Sequence, residues 1–212
     1  MCTMEYITLP KILIVLVLAG ILWYTKRKPG GAKAVSAVPG SDLPAARPAV
    51  TKTVRSPEEV YLGLRDGALH KAPEQLFLPD GLKAEEPFGA LMEMAVPNDV
   101  ITLACFADGD AGVYYKTGGG MKGGGSHENV RRAAKQFVAL SQRALPRMIK
   151  TDAHPLPEAD KVRFYVLTPK GTFTTEAPRQ ALGGAENDLS ALFYGGQEVV
   201  AQMRQVQEQK TG

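Results

Sequence analysis

Between Ile12 and Tyr24 the chain reads ILIVLVLAGILWY, thirteen residues without a charge, and Lys26-Arg27-Lys28 follows almost at once. A helix of that length spans about 20 Å, short of the roughly 30 Å of bilayer hydrocarbon. Extended from Tyr6 to Thr25 it reaches about 30 Å, with Lys11 snorkelling toward the headgroups and Trp23 and Tyr24 at the interface. The expectation is a transmembrane helix over 6–25 behind an N-terminal tail, 1–5. A cleaved secretory signal is the competing reading. Only one basic residue, Lys11, and Glu5 precede the run, and a basic cluster stands where cleavage should fall. The small-residue candidates, Ala32-Lys33-Ala34 and Val35-Ser36-Ala37, lie too far along and carry charge. The segment is therefore read as an uncleaved, single-pass anchor in the inner or cell membrane, and membrane lipid as a partner through residues 6–25. Lys and Arg near a span prefer the cytoplasmic side, which places the C-terminal part in the cytoplasm.

Residues 26–55 read as a basic linker rich in Pro, Ala and Gly, with no aromatic residue. Such a segment cannot bury enough apolar area to offset its ordering entropy. Its basic residues can touch anionic lipid.

The formal charge of +3 must be divided. Residues 1–55 hold eight basic residues against Glu5 and Asp42, a net of +6, which leaves −3 for residues 56–212. A nucleic-acid reader carries its basic face on the folded part, so no nucleic-acid partner is expected. Two cysteines, Cys2 and Cys105, give no disulfide framework, and no Cys/His spacing resembles a metal site.

Residues 56–212 read as one α+β domain. Ser56-Pro57-Glu58-Glu59 has the form of a capping box with Pro at the first helical position, and Val60, Leu64 and Ala68 mark one face of a helix ending near His70. Residues 72–89 hold three prolines and read as mostly irregular, with a short helical turn around 88–95 (FGALMEMA). VITLACFA (100–107) and GVYYKT (112–117), joined by an Asp/Gly turn, read as a hairpin. Ser126 can cap a helix from His127 to about Met148, with Val130, Ala134, Phe137, Ala144 and Met148 on one face. VRFYVLT (162–168) and GTFTTEA (171–177) make a second hairpin. Asp188 can cap a last helix to about Gln207, burying Leu189, Leu192, Phe193, Val199 or Val200, and Met203. The expected order is α-β-β-α-β-β-α, an antiparallel sheet of two hairpins with packed helices. That order is similar to the roadblock and profilin-like layout.

GGGMKGGG (118–125) is the most unusual local feature. Gly118, Gly120 and Gly123 fit G-x-G-x-x-G between a strand and a helix, so with Ser126 and His127 they form a candidate site for an anionic group such as a nucleotide or phosphate. The acidic residue that a dinucleotide fold needs further on falls inside the helix near Arg143, and the preceding strand is the second arm of a hairpin. Gly125 stands where a phosphate-loop lysine should be. The favoured reading is a loop or strand edge needing positive φ or close backbone approach. Adjacent Ser126 and His127 point in different directions at a helix start, so a serine cap explains Ser126 better than catalysis does. Asp108 and Asp110 read as turn residues, and His70 and His154 carry no pattern. Met92 and Met94 suit a core. Gly195-Gly196 inside the last helix costs about 1 kcal/mol per residue, which predicts close packing on the sheet.

The segments GGGMKGGGSHENVRRAA, VRFYVLT and DLSALFYGGQEVV resemble parts of a family of uncharacterised bacterial proteins. In that family a strand, a Gly-rich segment, a helix, a VRFY-like strand and a final helix recur in this order. The resemblance covers roughly residues 85–204 and implies one coherent domain; it supplies no activity, cofactor or catalytic residue. The sequence thus points to a membrane-anchored protein-interaction or adaptor module, with a protein partner and no cofactor, and with an anion-binding domain as the alternative.

Overall fold

In the computed structural model, which describes residues 55–76, 78, 81–184 and 187–211, the first element is the helix that Ser56 begins. The Ser56 amide donates to the Glu59 carboxylate at 2.6 Å and the Glu59 amide to Ser56 Oγ at 3.1 Å, a complete capping box opening α1 (Pro57–Leu69). Its buried face is Tyr61, Arg65, Ala68 and Leu69. Of the expected stripe, Ala68 is buried and Leu64 half-buried, while Val60 is turned outward, 45% exposed. The expected transmembrane helix, 6–25, lies outside the described residues, as does nearly all of the linker. Among the described residues no helix is long and apolar enough to cross a membrane.

The expected helical turn around 88–95 is instead a strand, β1 (Gly89–Val96), and it is the centre of the sheet. Leu, Met, Glu and Ala favour helix in isolation. Here burial on both faces decides, and seven of its eight residues are buried. It pairs with β2 (Asp99–Phe106) through a tight turn at Pro97-Asn98, where Asn98 takes φ 66°, a conformation that asparagine tolerates. β3 (Ala111–Tyr115) follows the expected Asp/Gly turn, in which the side chains of Asp108 and Asp110 accept from the amides of Asp110 and Ala111. A two-residue strand, β4 (Gly120–Met121), continues this meander. After α2 (Glu128–Ala144) come β5 (Ile149–Lys150), β6 (Lys161–Thr168) and β7 (Gly171–Pro178), the last two forming the expected second hairpin. The short α3 (Arg179–Gly184) and long α4 (Asp188–Thr211) close the chain. The seven strands lie in the order β4-β3-β2-β1-β6-β7-β5, every neighbouring pair antiparallel. The domain is thus α+β, with three strands (β1, β4, β5) beyond the two expected hairpins.

Alternation along the strands gives the sheet two different faces. One presents Met92, Met94, Leu103, Val113, Val162 and Phe164, all at most 5% exposed. Against it pack α2, through Val130, Ala134 and Phe137, and α4, through Leu192, Phe193, Val199, Val200 and Met203. The two helices run antiparallel: Asn129 donates to Gln202 at 2.6 Å at one end, and Arg143 pairs with Asp188 at 2.8 Å at the other. Gly195 and Gly196 make this approach possible. A Cβ on Gly195 would fall 2.7 Å from Leu140 Cδ1, and one on Gly196 would fall 2.6 Å from Met92 Cε and 3.2 Å from Phe137.

Two expected caps are corrected. Ser126 ends a 3-10 turn, Gly124–Ser126, and its hydroxyl donates to the Gly123 carbonyl at 2.9 Å, so the residue preceding α2 is His127, without a side-chain cap. For α4 the cap is Asn187, whose side-chain oxygen accepts from the Leu189 and Ser190 amides, while Asp188 already lies in the first turn. Pro146 ends α2 early, and a 3-10 turn, Leu145–Arg147, carries the chain to buried Met148.

These contacts separate two classes of helical glycine. Gly196→Val is expected to lower the unfolding free energy by about 1–3 kcal/mol through overpacking. Gly63→Ala in α1, where a Cβ would meet nothing within 4 Å, is expected to raise it by about 0.5–1 kcal/mol. Urea denaturation of both variants followed by circular dichroism checks the opposite signs.

Candidate functional site

The second face of the sheet, under α1, contains a buried polar cluster. Glu93 sits on the central strand, opposite Thr102 of β2 and Arg163 of β6, and is fully buried. A carboxylate there keeps its charge only with a fixed partner and further hydrogen bonds. α1 supplies the partner because Tyr61 and Arg65, four residues apart, share one helix face. Arg65 grips Glu93 with both prongs, Nε to Oε1 at 2.6 Å and Nη2 to Oε2 at 2.8 Å. Thr102 donates its hydroxyl to Glu93 Oε1 at 3.0 Å, so its oxygen is left to accept from Tyr61, 2.9 Å away. The Arg65 Nη2 also reaches the Pro155 carbonyl at 3.2 Å, which accepts from the Tyr165 hydroxyl at 2.5 Å as well.

The electrostatics follow from burial and this pairing. Burial, with the Glu93 charge nearby, pushes the Tyr61 phenol up to about 12, against the pull of its Thr102 hydrogen bond. Burial works against the Arg65 charge, but the Glu93 contact outweighs it and moves the guanidinium upward. The Tyr165 phenol is raised by burial and then by Glu93. Each group is therefore held in the protonation state that keeps the network intact. Closed under α1, with Glu93 fully buried, the cluster is a lock between helix and sheet.

The Gly-rich residues are placed differently. The Gly118 amide donates to the Tyr115 carbonyl at 2.9 Å within the turn after β3. Gly120 lies in β4 opposite Tyr114 at φ 152°, and a Cβ there would fall 2.3 Å from the Val113 carbonyl oxygen. Close backbone approach at a strand edge thus explains Gly120. Gly123 leads into the 3-10 turn, where the amides of Ser126 and His127 donate to the carbonyls of Gly123 and Gly124 at 3.3 and 3.0 Å. Those two amides are turned into the loop, and the first-turn amides of α2 belong to Glu128, Asn129 and Val130. The first residue of α2 is Glu128, paired with Arg131. The five residues are near one another along the chain, but these amides are engaged.

Among the described residues no group of three or more His, Cys, Asp or Glu side chains could hold a metal. Cys105 is buried, and burial, with a smaller effect of Asp110, raises its thiol well above the ordinary range. An open depression at the start of α1 is bordered by Ser56, Glu58, Asn98, Lys116 and Thr117. Its charges are occupied: Lys116 pairs with Glu58 at 3.2 Å, and Asp99 accepts from Thr117 at 2.8 Å. No family model, curated protein or solved structure matches this chain.

The Arg65–Glu93 pair escapes the sequence reading, although a signal for it exists. Tyr61, Arg65, Ala68 and Leu69 form a helical stripe with one cation in it, and GALMEMAV is an apolar run with one anion in it. Glu93→Gln leaves the buried guanidinium without a counter-charge and is expected to destabilise the domain by about 3–5 kcal/mol. The double change Arg65→Met with Glu93→Leu is expected to recover most of that loss. Equal destabilisation of the single and double variants in chemical denaturation would contradict this account of the pair.

Proposed function

We propose that this chain is a single-pass membrane protein whose α+β domain faces the cytoplasm and serves as a protein-interaction module. The tether rests on the uncharged run 12–24 and the basic cluster directly after it. The interaction reading is carried by the outward side of α1, the first helix beyond the linker. Gly63 and Gly67 are one turn apart and share a face with Val60, which is 45% exposed. A glycine inside a helix costs about 1 kcal/mol relative to alanine. In α4 close packing offsets that cost; at Gly63 and Gly67 a Cβ would meet open space. An apolar segment of another protein packed there would account for both the glycines and Val60, whereas Tyr61, Arg65, Glu93 and Thr102 under α1 are hydrogen-bonded to one another.

The full-length chain is expected to sediment with membranes and resist alkaline carbonate, and deletion of residues 1–28 is expected to release it. Val60→Asp, at an exposed position, is expected to leave the melting temperature unchanged while removing crosslinks to the partner that map to α1. Released mature protein that begins after Lys28 would refute the tether, and crosslinks insensitive to Val60→Asp would refute the docking face.

A further inference from the structure

The segment between β5 and β6, residues 151–158, has no regular secondary structure and crosses the α1 side of the sheet. Three features hold it down. Its Pro155 carbonyl takes both the Arg65 and Tyr165 hydrogen bonds described above. The Glu158 amide at its far end donates to Glu176 Oε1 at 3.0 Å. Just before Pro155, His154 is wedged edge-on against two rings, His70 at 5.3 Å between centroids and Tyr165 at 5.5 Å. Its Nε2 is buried without a hydrogen-bond partner.

That seat suits a neutral imidazole and opposes a charged one. α1 presents Arg65, Asp66 and His70 to it, β1 presents Glu93, and β6 presents Tyr165. The two carboxylates would welcome a cation, but both are engaged, Glu93 by Arg65 and Thr102, and Asp66 by His70 at 3.1 Å. Desolvation comes first among the causes that lower the His154 value from 6.5, followed by the charges of His70 and Arg65. A proton on buried Nε2 would also be a donor with no acceptor.

We propose that residues 151–158 form a pH-gated strap: neutral His154 seats it between His70 and Tyr165, and protonation of His154 releases it from α1 and β6. Release removes the Pro155 carbonyl from Arg65 and Tyr165 and opens the side of the polar cluster to water, while the Arg65–Glu93 pair stays in place. The sign follows from linkage. The released strap binds the proton at the ordinary imidazole value and the seated strap only below it, so seating is complete above about 6.5 and weakens as pH falls through it. Between the two values the released population grows by up to about tenfold per pH unit.

The test is amide hydrogen exchange on the full-length chain from pH 7.5 to 5.5, corrected for intrinsic rates. The reporters are the Thr151 and Glu158 amides, whose acceptors, the Thr172 carbonyl at 2.9 Å and Glu176 Oε1 at 3.0 Å, lie on β7 outside the strap. Their protection factors are expected to fall by up to about tenfold per unit below pH 6.5. Amides of the β1–β2 ladder should keep theirs. His154→Phe retains a ring in the seat but takes no proton, so its strap protection should not change with pH. A flat wild-type profile, or an unchanged fall in His154→Phe, would overturn the proposal. Should the variant misfold, an NMR titration of the wild-type His154 ring decides instead: a midpoint clearly below 6.5 supports the gate, and one at or above 6.5 refutes it.

Discussion

A carboxylate in the middle of a buried sheet must be neutralised in place, and much of this domain is arranged around that requirement. Glu93 lies on the central strand between Thr102 and Arg163; the Arg163 guanidinium is paired with Glu176 at 2.9 Å, and the counter-charge of Glu93 comes from above the sheet. Arg65 can deliver it only if α1 lies over β1 with the Tyr61–Arg65 face down. That orientation turns Val60 outward and brings Ala68 and Leu69 into the apolar cluster with Leu91, Ala104, Phe106 and Leu167. A buried pair of this kind adds little net stability compared with apolar residues of similar size. Its effect is on geometry: of the ways an amphipathic helix could rest on this face, it selects one.

The opposite face follows a different rule. Between α2, α4 and the sheet the buried contacts are mainly apolar, with the polar pairs Asn129–Gln202 and Arg143–Asp188 at the ends of the helices, and the fit depends on missing side chains at Gly195 and Gly196. One face is thus set by charge and hydrogen-bond direction, the other by shape. Both constraints meet on β1, where Met92 faces Gly196 of α4 and Glu93 faces Arg65.

Much of this was legible in the sequence, for physical reasons. The capping box at Ser56, the Asp/Gly turn at 107–112, the hairpin from 162 to 177 and the buried stripe of α2 all depend on local chemistry or on periodicity over a window. The close packing of the α4 glycines followed from their cost. β1 was not legible: a strand buried on both faces loses its alternation, and its residues individually prefer helix. The Pro97-Asn98 turn between two apolar runs was the available clue. The two-residue β4 and β5 are too short for any pattern. The caps at Ser126 and Asp188 were displaced by one residue because the loops before those helices satisfy amides in their own way. The candidate anion site was legible as a motif, but its geometry depends on where the loop amides point, which spacing does not encode. Likewise His154 carries no pattern along the chain, and its environment is assembled from residues 65 to 165.

Each border of the sheet is finished by a strand of two residues, β4 on one side and β5 on the other. A backbone ladder that short offers a neighbouring molecule almost nothing to copy, and this guards against edge-to-edge association. At the β5 border Ile149 is 72% exposed, yet Lys150 follows it at once, and a charge beside an apolar rim residue discourages stacking between copies. β4 and β5 each cover only two positions of β3 and β7, so at either border a second copy would meet a broken edge in place of a continuous one.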